Sequence, residues 1–139
     1  MMNIAIVGAT GNVGRKILEV LEKKNFSLEN LYLVASSKSA GSKITFKDKE
    51  LEVFDLEKFD FSKAKITFFA AGGKISENYA TKAAQHSIVI DNSSFYRMDP
   101  DVPLIVPQVN SEDLKKIKKN IIANPNCSTA QLVIALKPL

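Results

Sequence analysis

The sequence predicts an α/β domain: a doubly wound parallel sheet with helices on both faces. Two observations carry that expectation. Short runs that are almost wholly apolar, such as Asn3–Val7 (NIAIV), Leu31–Ala35 (LYLVA), Ile66–Ala70 (ITFFA) and Ile88–Ile90 (IVI), suit strands buried on both sides. Segments with apolar residues at helical spacing lie between several of them, and strands alternating with helices argue for a parallel sheet.

In chain order, the first strand runs into the turn Gly8–Gly14 (GATGNVG) and then a helix over Arg15–Lys24, with Val13, Ile17, Leu18, Val20 and Leu21 at roughly helical spacing. Leu31–Ala35 is the second strand. Lys43–Phe46 and Glu50–Phe54 alternate like an antiparallel hairpin around Lys47, Asp48 and Lys49. After Ile66–Ala70 come Ala71, Gly72 and Gly73, then a helix through Ser76–Gln85 that His86 and Ser87 close. Ser111 is expected to cap a helix reaching about Lys118. Ile121–Ala123 forms the last strand, and from Cys127 the run Gln131–Leu136 predicts a largely buried helix. No repeat, low-complexity tract or linker interrupts this pattern.

Composition narrows the function classes. A chain of 139 residues is one domain's worth, and 45% apolar with 24% charged residues is ordinary for a soluble globular protein. The single cysteine excludes an internal disulfide framework and fits a reducing, cytoplasmic setting. No cleavable leader is evident, and no apolar run approaches the ~20 residues of a membrane span. The net charge of +4 owes much to Lys115, Lys116, Lys118 and Lys119. These read as a solvated helix face. No aromatic residue is interleaved to stack on bases, which disfavours nucleic acid as a partner.

The glycine turn has the context that gives such a motif meaning, because it follows a strand and opens a helix. Glycine allows a tight turn and lets backbone N–H groups approach a pyrophosphate at a helix N-terminus. The spacing is GxxGxxG, a variant of the Rossmann-like dinucleotide fingerprint. Enzymes preferring NAD place an acidic residue at the end of the second strand to bind the ribose 2′-hydroxyl. Here that strand runs out as Ala35–Gly41 (ASSKSAG), with Ser36, Lys38 and Ser39 and no carboxylate. Hydroxyls and a cation fit a 2′-phosphate, so NADP is favoured.

Cys127 lies just past the carboxyl end of a strand, the edge where open α/β sheets bind ligands. With Asn126 or Cys127 opening a helix, N–H groups and the helix dipole favour a thiolate, and Asn126, Ser128 and Thr129 can cap the turn. No base is evident beside it. His86, the only histidine, sits where a helix closes and a positive φ is often needed, so its expected role is structural.

Five ordered blocks together resemble the aspartate-semialdehyde dehydrogenase family: GATGNVG at 8–14, SSKSAG at 36–41, FFAAGG at 68–73, IDNSSFYRMDPDVPLIVPQVN at 90–110 and ANPNCST at 123–129. The resemblance implies reversible, NADP-dependent interconversion of aspartate β-semialdehyde plus phosphate with β-aspartyl phosphate, on the route to lysine, threonine and methionine. It implies that Thr10, Gly11, Asn12 and Val13 hold the pyrophosphate, with Gly8 and Ser36 also in the cofactor site. Lys38 and Ser39 would contact the adenosine 2′-phosphate, and Gly72 would lie near the nicotinamide. Arg97 with Asn92 would bind the substrate phosphate, and Cys127 would be the nucleophile. No metal is implied.

Several positions depart from the family pattern. Lys38 stands where the family commonly has arginine, Phe95 and Tyr96 where it has Ala followed by Phe or Trp, and Gln108 where glutamate is common. Family members are more than twice as long. The resemblance therefore implies a cofactor domain over 1–126 and a cysteine-bearing helix over 127–139 leading toward a second domain. That second domain would carry the acid/base histidine and most of a homodimer or homotetramer contact. This stretch alone is expected to be inactive. The alternatives are a stand-alone NADP-binding module or truncated pseudoenzyme and, less favoured because Asn126 and Ser128-Thr129 flank the cysteine, an N-acetyl-glutamyl-phosphate reductase.

Overall fold

The computed structural model describes residues 2–139. In chain order its elements are β1 (Met2–Val7), α1 (Asn12–Lys23), β2 (Leu28–Ala35), β3 (Lys43–Phe46), β4 (Lys49–Asp55), β5 (Ile66–Phe69), α2 (Gly73–Ala84), β6 (Ile88–Asp91), α3 (Pro107–Asn110), β7 (Ile121–Ala123) and α4 (Cys127–Leu136). One sheet takes all seven strands in the order β3-β4-β2-β1-β5-β6-β7. Every neighbouring pair is parallel except β3 against β4. Counted along the chain, the parallel strands lie in the order 3-2-1-4-5-6, the arrangement of dinucleotide-binding sheets. Chain direction across the sheet reverses between β1 and β5, and a crevice opens there at the carboxyl ends of the strands.

Local chemistry explains the elements. Ile4, Ala5, Ile6 and Val7 are all buried, so β1 shows no alternation: both its sides face protein. The β3–β4 hairpin turns on Lys47 and Asp48, whose φ values of +47° and +62° give a left-handed two-residue turn that matches strand twist. Two cores lie on the two faces of the sheet. Leu18 and Leu21 of α1 pack with Ile4, Ile6, Leu33 and Val53. Ala80, Ala83 and Ala84 of α2 pack with Val7, Phe69, Val89 and Ile121 on the opposite face.

The faces are unequally covered. One cross-strand row on the α1 side reads Leu33, Ile6, Phe68, Ile90 and Ile122. Leu33 and Ile6 are fully buried, whereas Phe68, Ile90 and Ile122 are only half-buried. The margins of the sheet are short. β3 is a four-residue edge strand carrying Lys43, and the outer edge of β7 is occupied by Pro103–Ile105: Ala123 N donates to Pro103 O, and Ile105 N donates to Ala123 O.

Three sequence expectations change. Residues 111–118 are not an α-helix: α3 is one turn, followed by a 3-10 helix over Ser111–Lys116. Ser111 is the C-cap of α3 and not an N-cap. Asn110 sets this geometry, its Nδ2 donating to Leu104 O and Asp113 while its Oδ1 accepts from Val106 N, which draws the chain back on itself. His86 does not have a positive φ; among the described residues the non-glycine ones that do are Asn25, Lys47, Asp48 and Asn120. It is exposed after the last turn of α2, ahead of β6, at the opposite end of the strands from Cys127. No residue of α4 is buried: it touches the one-turn α3, which is too short to cover it, and Leu132, Ile134 and Leu136 all stand exposed.

Three of the four clustered lysines are held in ion pairs. Lys116 pairs with Asp113, Lys118 with Asp101 and Lys119 with Asp99, which leaves no uniform cationic stripe. Asp99 is held below the ordinary Asp value of 3.8, first by its hydrogen bond from Lys119 and then by that from Asp101 N. The same contact raises Lys119 above 10.5. A depressed carboxyl contributes stability above its unfolded pKa and loses it as pH falls through the folded value; a raised lysine contributes below its unfolded pKa and loses it as pH rises through its folded one. The clasp therefore holds throughout the interval between those two ordinary values. Lys119→Met is expected to return the Asp99 titration, followed by carboxyl NMR, toward 3.8. An unmoved titration would show that Lys119 does not hold it.

Candidate active site

The glycine turn is built on close approach. Gly8 has φ +86°, and a Cβ there would lie 2.6 Å from Ala70 O in the turn after β5. Its N–H donates to Val34 O, and its carbonyl accepts from Gly11 N, which closes the turn onto α1. A Cβ on Gly14 would come within 2.2 Å of Gly8 O, so the first turn of α1 rests directly on the loop. The N-cap of α1 is Gly11 and that of α2 is Gly72. Neither helix has a side-chain cap or an acidic residue in its first turn. Two helix N-termini thus present unmatched N–H groups and positive dipole ends near the carboxyl edge of the sheet, which suits an anion.

Two clefts flank the start of α1. The smaller, about 280 Å³, is the switch-point crevice, lined among others by Gly8, Thr10, Gly11, Ser36, Ala70 and Ala71. The larger, about 660 Å³, is lined by Asn12, Val13, Asn92, Arg97, Asn126 and Cys127, and continues down the exposed side of α1 over Ile17, Val20 and Phe68. The cofactor-site candidates of the turn are therefore divided: Gly8, Thr10 and Gly11 on one side, Asn12 and Val13 on the other. Ser36 reaches the crevice, whereas Lys38 and Ser39 stand in the turn beyond its wall. That turn is closed by hydrogen bonds from Ser39 N and Ala40 N to Ser36 O. Lys38 is exposed and forms no ion pair among the described residues. Gly72 lines neither cleft but immediately precedes α2 beside Ala71.

Arg97 and Cys127 share the larger cleft by way of two asparagines. Arg97 Nε donates to Asn124 O at 2.9 Å, and Nη2 donates to Asn92 O at 3.1 Å, so one guanidinium clasps the ends of β6 and β7. Among the described residues no hydrogen bond engages Nη1, which leaves a donor edge for an anion. Asn124 Nδ2 donates to Asn92 Oδ1 and ties the same two strand ends together. Cys127 is the first residue of α4 and is exposed. Asn126 caps that helix: its Oδ1 accepts from Ser128 N at 3.0 Å and from Ser128 Oγ, with the Cys127 thiol 3.7 Å away. No histidine, aspartate or glutamate lines this cleft. Among the described residues no group of acidic, histidine or cysteine side chains is arranged for a metal.

Sequence reasoning missed Asn124, whose backbone and side chain both serve this arrangement. It also missed a buried cluster behind it, in which Asp91 accepts from Ser76 and Ser93. The available signal was the acidic residue ending an otherwise apolar strand.

The description "Semialdehyde dehydrogenase, NAD binding domain" belongs to the family model that matches residues 3–117. The chain is similar to the aspartate-semialdehyde dehydrogenase of Legionella pneumophila, at 52% identity over 99% of this chain and 40% of that protein. It is 56% identical to the one of Aquifex aeolicus over 98% of this chain and 41% of that protein. Among solved structures it resembles aspartate semialdehyde dehydrogenase II of Vibrio cholerae complexed with ASA, with TM-score 0.96, 47% identity and coverage of 99% of this chain and 46% of that one. It also resembles the aspartate semialdehyde dehydrogenase of Candida albicans with NADP, with TM-score 0.81, 30% identity and coverage of 99% and 46%. The chain spans about two fifths of the length of the curated relatives it matches.

Proposed function

Because the chain belongs to the semialdehyde dehydrogenase family, we propose that it supplies the NADP-binding and nucleophile-bearing part of an aspartate-semialdehyde dehydrogenase. The observation that carries this reading is the single cleft in which Cys127, Arg97 and the N-terminus of α1 meet. The residues fit the cofactor. A crevice at the switch point, two uncapped helix N-termini and a Gly8 that admits no side chain suit a dinucleotide pyrophosphate. The turn over Ser36–Gly41 offers hydroxyls and Lys38 where a carboxylate would repel a 2′-phosphate. A nicotinamide bound there supplies the hydride acceptor or donor.

The remaining chemistry belongs to side chains. In the oxidative direction the Cys127 thiolate attacks the aldehyde carbon and forms a thiohemiacetal. Loss of hydride leaves a thioester on Sγ. Phosphate held by the free edge of Arg97 attacks the thioester carbonyl, which expels the thiolate and yields the acyl phosphate. The reverse sequence makes the semialdehyde for amino-acid biosynthesis, a cytoplasmic role. Residues 1–126 serve as the cofactor unit and 127–139 carry the nucleophile. No histidine, aspartate or glutamate lines the cleft, and its one lysine, Lys16, is paired with Glu19, so the proton acceptor comes from outside these 139 residues, as do the contacts of a homodimer or homotetramer.

A graft tests the reading. Residues 1–139 replace the matching span of the Legionella pneumophila relative, and phosphate-dependent NADP⁺ reduction by aspartate semialdehyde is assayed. Activity within about tenfold of the parent is expected; a folded, cofactor-binding but inactive graft would refute it. The 139-residue chain alone is expected to show no turnover, and measurable turnover would overturn the external base. Lys38→Ala is expected to weaken NADPH binding to the chain by roughly tenfold, the worth of one exposed charge-assisted contact, and to leave NADH unchanged. Equal losses for both nucleotides would remove Lys38 from the 2′-phosphate site.

A further inference from the structure

We propose that Asp91 is a positioning residue that couples the two halves of the site, its carboxylate tying the first turn of α2 to the loop that carries Arg97. The inference rests on the reading that NADP takes the N-termini of α1 and α2 while phosphate takes Arg97.

Asp91 is fully buried at the carboxyl end of β6, between Phe69 of β5 and Ala123 of β7 in the same cross-strand row. Both neighbours are apolar and fully buried, so packing alone gives no reason for a carboxylate there. Its partners are neutral. Oδ1 accepts from Ser76 Oγ at 2.7 Å and from Ser93 N at 3.1 Å, and Oδ2 accepts from Ser93 Oγ at 2.7 Å. No ion pair involves Asp91 among the described residues. Three hydrogen bonds thus converge on one buried carboxyl group and join α2 to the turn after β6.

Those elements belong to different halves of the site. Ser76 lies in the first turn of α2, just after Gly72 and Gly73, and is itself fully buried. Ser93 begins the turn to Arg97: its Oγ accepts from Phe95 N at 3.2 Å, and Arg97 then closes on Asn92 O and Asn124 O. The backbone of Asp91 completes the tie, since its carbonyl accepts from Asn124 N at 2.8 Å. A shift of α2 when its N-terminus takes an anion is therefore passed through Ser76 and Asp91 to Ser93, and on to the donor edge of Arg97. Ligands that both select the drawn-in arrangement strengthen each other, and the effect is reciprocal.

Inorganic phosphate is titrated into the chain with and without saturating NADP⁺, following the Arg97 Nε–H signal by NMR, in wild type, Ser76→Ala and the near-isosteric Ser76→Cys. Wild type is expected to bind phosphate about tenfold more tightly with NADP⁺ present. In Ser76→Ala that ratio is expected to fall below about twofold while phosphate affinity without NADP⁺ stays within about threefold. Ser76→Cys, a weak donor, gives an intermediate ratio and serves if the alanine variant does not fold. General loosening of the structure lowers both affinities and leaves the ratio intact, so the ratio separates positioning from mere support. A wild type that binds both ligands without coupling, or serine variants that keep the full ratio, overturns the inference. A wild type that binds neither ligand overturns the functional reading beneath it.

Discussion

Exchanging Cys127 for serine in the grafted, full-length enzyme is expected to lower turnover by about four orders of magnitude, the scale seen when a covalent nucleophile is lost. Sulfur is the issue. A serine hydroxyl at the start of α4 keeps the shape of the site and the Asn126 cap, but it is a far weaker nucleophile near neutral pH, and an oxygen ester is a poorer acyl donor to phosphate than a thioester. Serine differs from cysteine by one atom and keeps the lining of the cleft that Cys127 shares with Asn12 and Val13, so NADPH affinity should not change. Turnover and a fluorescence titration of NADPH on the same protein check both halves. A serine variant retaining more than about a hundredth of the activity would remove Cys127 from the covalent role.

Gly8→Ala is expected to cost about 2–5 kcal/mol of folding stability, enough to unfold a marginal domain at modest denaturant. Two penalties act together. A left-handed φ of +86° costs an L-residue about 1–2 kcal/mol. Forcing a methyl to 2.6 Å from Ala70 O displaces backbone in a packed core, which costs a further 1–3 kcal/mol or so. Gly11→Ala is the matching control. Gly11 has φ −79°, and its added Cβ meets only Gly8 O, at the ordinary distance of 3.4 Å. Gly11→Ala should therefore unfold near the wild-type midpoint while weakening NADPH, because a methyl now stands over the N-terminus of α1. Urea titrations of the two variants with and without NADPH make the comparison. Equal midpoints for Gly8→Ala and wild type would show that this turn carries no strain.

What the residues revealed in advance follows the range over which each signal acts. β1, the glycine turn and α1 were readable because tight-turn glycine, buried strand and helical period are local and agree. The parallel arrangement followed from the apolar strands, and the antiparallel β3–β4 edge from their alternation. Residues 111–118 misled because Ser111 and four lysines resemble a capped, solvated helix, whereas Asn110 folds the chain onto Leu104 and Val106. His86 was assigned an unneeded φ, since α2 ends through Gln85 in the right-handed region. The burial expected of Gln131–Leu136 depends on what lies against that helix, which the helix cannot specify. Within the site, Cys127 and Arg97 were legible as residue types in context. Asn124 and Asp91 were not, because their importance comes from partners on other strands and helices.

The two margins of the sheet have a consequence for colloidal behaviour. Half-buried Phe68, Ile90 and Ile122 make one face sticky, yet a chain that aggregates by strand addition needs an open row of backbone donors and acceptors. Here one border is four residues long and guarded by Lys43, and the other is already occupied by Pro103–Ile105. Concentrated solutions should then cluster face to face and redissolve on dilution, without templated fibril growth.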